Sequence, residues 1–216
     1  MKRFTGKKTL SIVLSAAFAV TFASGTVAVP FTQETPLQVA TAYASTTKAW
    51  DFTKDIGAWQ YSGNYNYSGK AVPVAYDPAF GGSLKATVDF SKDSDATWSE
   101  VKLTDASITN ATPIELNNSN TLEFDLYYDP SKIGGDSLLK VKVFGKDANG
   151  EEVINDLADN IGMQFAKPVE GSNFKRVHVK VPFMDAFTGK LGHLEVSIVS
   201  YLSSYKGDIY INNLKM

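Results

Sequence analysis

The stretch Trp98-Ser99-Glu100-Val101-Lys102-Leu103 puts an indole, a carboxylate and an ammonium group at every second position. Side chains alternate across a β-strand, so Trp98, Glu100 and Lys102 share one face while Val101 and Leu103 share the other. The apolar pair takes the core side. A flat ring beside an acceptor and a donor suits a sugar: the C–H face of a pyranose stacks on the indole and its hydroxyls bond sideways. The same pattern arises if a loop or a neighbouring strand covers Trp98, and this segment alone leaves both readings open.

Two other groups of residues bear on that chemistry. The segment 57–70, GAWQYSGNYNYSGK, sets Trp59, Tyr61, Tyr65 and Tyr67 among Gly, Ser and Asn. Rings that give contact area at low entropic cost recur in recognition loops, which makes Trp59 and Tyr65 candidates for a groove wall. The alternative is a loop folded over one end of the domain with its rings buried. Trp50 shares parity with Phe52 and reads as structural. Glu195 lies on the outward side of a later strand, as Glu100 does of its own. Two such acids could bind sugar hydroxyls, or could serve as the acid and nucleophile of a jelly-roll glycosidase or lyase.

Other chemistries lack support. His178 and His193 are the two histidines, far apart and without a nearby ligand pattern, so zinc is not expected. No G-x-S-x-G, phosphate-binding or dinucleotide-binding glycine motif occurs. Calcium could be held by Asp51 near the domain start and by Asn212 near its end, with Asp208 and Asn213 close by, since hard oxygen donors of this kind suit it. Ordinary turn and edge polarity explains the same residues.

These side chains need a rigid frame, and the chain supplies short alternating segments separated by Gly, Asn, Asp and Pro. Strands are expected at 49–53, 71–76, 83–90, 97–104, 121–128, 138–146, 151–155, 175–183, 194–203 and 208–214. No long segment has a helical period. The class is all-β, an antiparallel two-sheet sandwich of jelly-roll type. Alternation sends Leu84, Ala86, Val88, Leu122, Phe124, Leu126, Leu139, Val141, Val143, Val177, Val179, Val181, Leu194, Val196 and Ile198 inward. Lys140, Lys142 and Phe144 point outward on one strand, and Glu195, Ser197 and Val199 on another. Asp147-Ala148-Asn149-Gly150 is a hairpin turn whose Asn-Gly pair accepts positive φ. The longer irregular stretches 57–70 and 156–172 are places where binding residues collect on such a scaffold.

The first 44 residues read as an export leader. Lys2, Arg3, Lys7 and Lys8 precede a thirteen-residue apolar stretch at 10–22, too short for a membrane span; Ala42-Tyr43-Ala44 offers a cleavage site, and the nearer small residues Ala23 and Ala28 also qualify. The domain is then 45–216. Removing four of 21 basic and one of 23 acidic residues leaves 17 and 22, net −5, with no basic run. That argues against nucleic acid and against an anionic membrane surface. The chain has no cysteine. A mature domain of this length buries enough core to stand without disulfides, and a secreted bacterial monomer is the natural setting.

The opening Trp50-Asp51-Phe52-Thr53, the Trp98 to Leu103 strand and the closing Gly207-Asp208-Ile209-Tyr210-Ile211-Asn212-Asn213-Leu214 strand resemble galactose-binding-like carbohydrate-binding modules. Among these the chain is most similar to the family 27 modules of secreted bacterial β-mannanases. The resemblance implies a jelly roll with a concave groove for β-1,4-mannan or galactomannan, stacking through Trp59 and Trp98 and hydrogen bonding through Glu100, Lys102 and Glu195. It also implies a structural calcium, although the last strand has Asn212 where such modules commonly carry Asp. The leading expectation is therefore non-catalytic mannan binding. A small hydrolase or lyase using Glu100 and Glu195 is the alternative, and an adhesin recognising protein a third.

Overall fold

The computed structural model describes residues 48–133, 138–158 and 166–216, apart from the side chains of 118–120, 156, 158, 185 and 186. The expected leader lies outside these residues. Among the described residues ten strands follow in order: β1 (Trp59–Tyr65), β2 (Val74–Asp77), β3 (Ser83–Asp89), β4 (Ser99–Asp105), β5 (Ile114–Tyr128), β6 (Leu138–Asp147), β7 (Glu152–Ala158), β8 (Lys167–Pro168), β9 (Lys175–Tyr201) and β10 (Lys206–Lys215).

All pairings are antiparallel, and two sheets result. One runs β1-β4-β9-β6-β7 and the other β2-β3-β10-β5-β9-β8. They share β9, whose first half pairs with β5 from Tyr128↔Lys175 to Ile114↔Leu191. Its second half then lies between β4 and β6. The expected strands 175–183 and 194–203 are thus one bent strand, and β5 begins seven residues earlier than the 121–128 expected. Register shifts at Leu116/Ser119 and Ser119/Thr121 take up the bend.

The inward faces are those that alternation assigns. Leu84, Ala86 and Val88 of β3, Leu122, Phe124 and Leu126 of β5, Val177, Val179 and Val181 of β9 and Val141 and Val143 of β6 are all buried in one cluster with Val101 and Leu103. Burial of this much apolar surface is the main stabilising contribution in a cysteine-free domain. The hairpin turn also forms as expected: Asp147 Oδ1 accepts from the backbone N–H groups of Asn149 at 2.8 Å and Glu151 at 2.9 Å. Gly150 there has φ +94°.

The first expected strand, 49–53, shrinks to a bridge between Ala49 and Lys215. Asp51 Oδ1 accepts the Thr53 N–H at 3.0 Å, a local turn that competes with strand pairing. No helix among the described residues is long and apolar enough to cross a membrane.

Candidate carbohydrate-binding groove

The outer face of the first sheet is assembled by register. Glu100 lies opposite Tyr65 of β1 and Val199 of β9, Lys102 opposite Ser197, and Thr104 opposite Glu195. On the other side of β9, Lys142 of β6 meets Ser197 and Phe144 meets Glu195. Directly opposed residues share a face, so these side chains lie together on the outer side of the sheet, where Val199 and Ser197, expected outside, are nonetheless buried under their neighbours.

Within this face a cleft of about 420 Å³ is lined by Asn64, Tyr65, Trp98, Glu100, Lys102 and Lys142. Tyr65 is 54% exposed. Trp98 is half-buried, and its indole N–H donates to Glu100 Oε2 at 3.1 Å, which fixes the ring beside the carboxylate. The neighbouring-strand cover left open by the sequence is only partial.

Beneath the rings lies a charged floor. Lys102 Nζ donates to Glu195 Oε1 at 3.1 Å and stands 3.6 Å from Glu100 Oε1. Ser197 Oγ donates to Glu195 Oε1 at 3.2 Å. Burial opposes ionisation of Glu100, but the Ser197 hydroxyl, the Trp98 indole and the two lysines Lys102 and Lys142 outweigh it and hold its carboxyl below the ordinary range. Burial also works against the Lys102 ammonium, and the hydrogen bond and charge of Glu195 with the charge of Glu100 raise its pKa nonetheless. Glu100 Oε1 is buried without a hydrogen-bond partner. A buried acceptor in that condition is costly unless a ligand hydroxyl or water reaches it.

Four expected groove residues, Tyr65, Trp98, Glu100 and Lys102, therefore meet in one cleft, and Glu195 joins them through Lys102. Trp59 does not. It begins β1 opposite Asp105, is buried in the core and packs edge-on against Trp50 with ring centroids 5.9 Å apart. The reason is a bulge between Tyr61 and Gly63, with Gly63 at φ +149°. Strict alternation would put Trp59, Tyr61 and Tyr65 on one face; the extra residue leaves Trp59 and Tyr61 facing the core and turns Tyr65 outward. Tyr67 is buried too, edge-on to Phe90. Trp50 is structural as expected, with its Nε1–H donating to Asp105 Oδ2 at 2.6 Å.

Lys142, Asn64 and Ser197 were not singled out from the sequence as groove residues. For Lys142 and Ser197 the signal was present, since strand parity makes both outward; what it lacks is which outward strands adjoin.

The two residues expected to hold calcium, Asp51 and Asn212, each have a partner of their own. Asp51 is exposed and engaged with Thr53, while Asn212 is buried and its Nδ2–H donates to the Phe80 carbonyl at 2.8 Å. No group of three or more His, Asp or Glu able to hold a metal occurs among the described residues. Asn212 Oδ1, by contrast, is buried without a hydrogen-bond partner.

The outer face of the second sheet differs in kind. Glu123 pairs with Lys180 at 2.9 Å, Asp125 with His178 at 3.1 Å, and Phe80 stacks on Tyr127 at 4.1 Å with Tyr210 and Phe174 edge-on. Its acids and rings are consumed by one another.

The family profile described as Carbohydrate binding module 27 matches residues 37–216. The chain belongs to carbohydrate-binding module family 27. Two solved family 27 modules share its fold. The first, CBM27-1 of Caldicellulosiruptor saccharolyticus in complex with mannohexaose, superposes with TM-score 0.62 at 17% identity over 80% of this chain and 97% of that one. TmCBM27, described for specific mannan recognition, gives TM-score 0.56 at 17% identity over 80% and 95%. A non-crystalline-cellulose-specific module, CBM28, gives TM-score 0.51 at 16% identity over 73% and 86%. No curated protein sequence matches. At such identities the superpositions establish that the family 27 module has the same sandwich, and its groove chemistry must be read from its own residues.

Proposed function

We propose that the module binds β-1,4-mannan or galactomannan-type chains without cleaving them, with Trp98 and Tyr65 stacking on sugar rings and Glu100, Lys102 and Glu195 meeting hydroxyls. The observation that carries this reading is the cleft in which Trp98 is tied to Glu100 beside an exposed Tyr65. Family membership and the mannohexaose complex of a fold relative support the choice of mannan. The export leader and net acidic charge support action outside the cell as a monomer, holding a mannanase or another glycan-handling system on its polymer.

Hydrolysis by Glu100 and Glu195 is the weaker reading. A general acid needs a carboxyl whose pKa is raised, whereas that of Glu100 is lowered and Lys102 bridges both acids. Affinity electrophoresis against mannan, glucomannan, xylan and cellulose, with reducing ends assayed in parallel, tests both. Retardation by mannan and glucomannan without new reducing ends is expected. Retardation by xylan or cellulose alone, or reducing-end release abolished by Glu100→Gln, would overturn the proposal.

A further inference from the structure

The Trp98 cleft has a neighbour. Tyr65 pairs with Glu100, so β1 ends beside the start of β4, and the segments that leave the two strands at that end enclose a further cleft of about 580 Å³. Asn64 lines both clefts. To it the further cleft adds Asn66 and Tyr67 from the segment after β1, and Lys92, Asp93 and Asp95 from the segment before β4.

The two clefts differ in what they can hold. The Trp98 cleft offers ring faces. In the neighbouring cleft Tyr67 is the one ring of the lining among the described residues, and it is spent on packing: it is buried, edge-on to Phe90 at 5.2 Å and pressed against Gly69, where an added Cβ would collide with it. Its hydroxyl accepts the Asp89 N–H at 3.2 Å. What remains is polar and held in place. Asp93 is only 5% exposed, and its two oxygens share the Ser68 N–H at 3.1 and 3.2 Å. A carboxylate has about four lone-pair sites, so acceptor capacity is left over for a ligand in the cleft. The Asn64 amide is fixed by donating to the Tyr61 hydroxyl at 2.6 Å. Asn66 is exposed at φ +49°, and its backbone carbonyl accepts from the Ser99 hydroxyl at 2.8 Å.

We propose that this cleft is a subsite for a single-sugar branch on the mannan backbone, an α-1,6-linked hexose of the galactomannan type, whose neighbouring hydroxyls donate to Asp93 and bond to the Asn66 amide. The proposal rests on the mannan-binding reading and narrows its ligand to a decorated chain. A backbone sugar needs a ring face to lie on, and this cleft presents none. A branch joined through C6 turns about its linkage bonds and leaves the stacking plane, so a mannose resting on Trp98 can send its branch past Asn64 into the adjoining cleft. Acceptors already set by backbone hydrogen bonds receive it at little further ordering cost.

The discriminating ligands are mannopentaose and the same pentaose carrying one α-1,6-galactosyl branch on an internal mannose. Calorimetry should give about fivefold tighter binding of the branched ligand, the yield of hydrogen bonds to a charged acceptor after ordering costs. In Asp93→Asn, which keeps an oxygen for the Ser68 N–H, the branched-to-linear affinity ratio should fall to near one while the affinity for mannopentaose is unchanged. Asn66→Gly accepts the same positive φ without the amide and should lower the ratio partway, which tests the cleft independently of the buried acid. Equal or weaker binding of the branched pentaose, or a ratio retained in both variants, would overturn the branch subsite and leave mannan binding standing. A linear mannoheptaose that gains over the pentaose as much as the branch does, and loses that gain in Asp93→Asn, would give the cleft to the main chain and overturn the branch subsite too. Failure of both pentaoses to bind would overturn both readings.

Discussion

At the scale of single residues, the three tryptophans have three different roles. Trp98 is tied by its N–H to Glu100 in the open cleft, Trp50 is tied to Asp105, and Trp59 is inside with its own N–H unpaired. A buried donor without a partner costs on the order of 1–3 kcal/mol, so Trp59 is retained for its volume against Trp50. Trp59→Ala should lower the unfolding free energy in urea by about 3–5 kcal/mol through the cavity it leaves. Trp59→Phe, which keeps a ring and removes the orphan N–H, should cost less than about 1.5 kcal/mol. In either variant the affinity of the folded fraction for mannohexaose should stay within about twofold, since the ring does not face the groove. A tenfold loss of affinity in Trp59→Phe at unchanged stability would contradict the core assignment.

At the scale of elements, strand parity carried most of what could be read in advance. The inward sets of β3, β5, β6 and β9 are where alternation puts them because each of these strands has one buried face, and a one-residue slip would expose it. Parity fails where an extra residue enters. The bulge at Gly63 reverses the face of Tyr65 relative to Trp59, and nothing in the composition of 57–70 announces it; Gly63 could equally have been a loop glycine. Its Cβ would meet no atom within 4 Å, so the demand is on conformation alone. Gly63→Ala should therefore cost about 1 kcal/mol in thermal or urea unfolding, and should weaken mannohexaose binding several-fold as Tyr65 loses its orientation. Binding unaffected by Gly63→Ala would detach Tyr65 from the groove. Adjacency is the second thing hidden from the sequence. That Lys142 sits across from Ser197 and in the same cleft as Trp98 follows from β9 lying between β4 and β6, a pairing of segments separated by tens of residues.

At the scale of the whole molecule, the two sheets divide the labour. The second closes its outer face with ion pairs and the Phe80–Tyr127 stack, and the first leaves rings, an orphan acceptor and ring-bound lysines facing out. The fold class and the outward row Trp98, Glu100 and Lys102 were legible because they depend on local alternation. The amide of Asn212 can donate where a carboxylate cannot, but its hydrogen bond to the Phe80 carbonyl depends on the loop that brings that carbonyl to β10, which the sequence does not show. The central claim is that Trp98 is the platform on which the glycan rests. Isothermal titration of mannohexaose into the protein and into Trp98→Ala measures it directly. Affinity at least tenfold weaker in the variant, about 1.4 kcal/mol, with unfolding stability little changed, is the predicted result. Unchanged affinity in a folded Trp98→Ala protein would contradict the account.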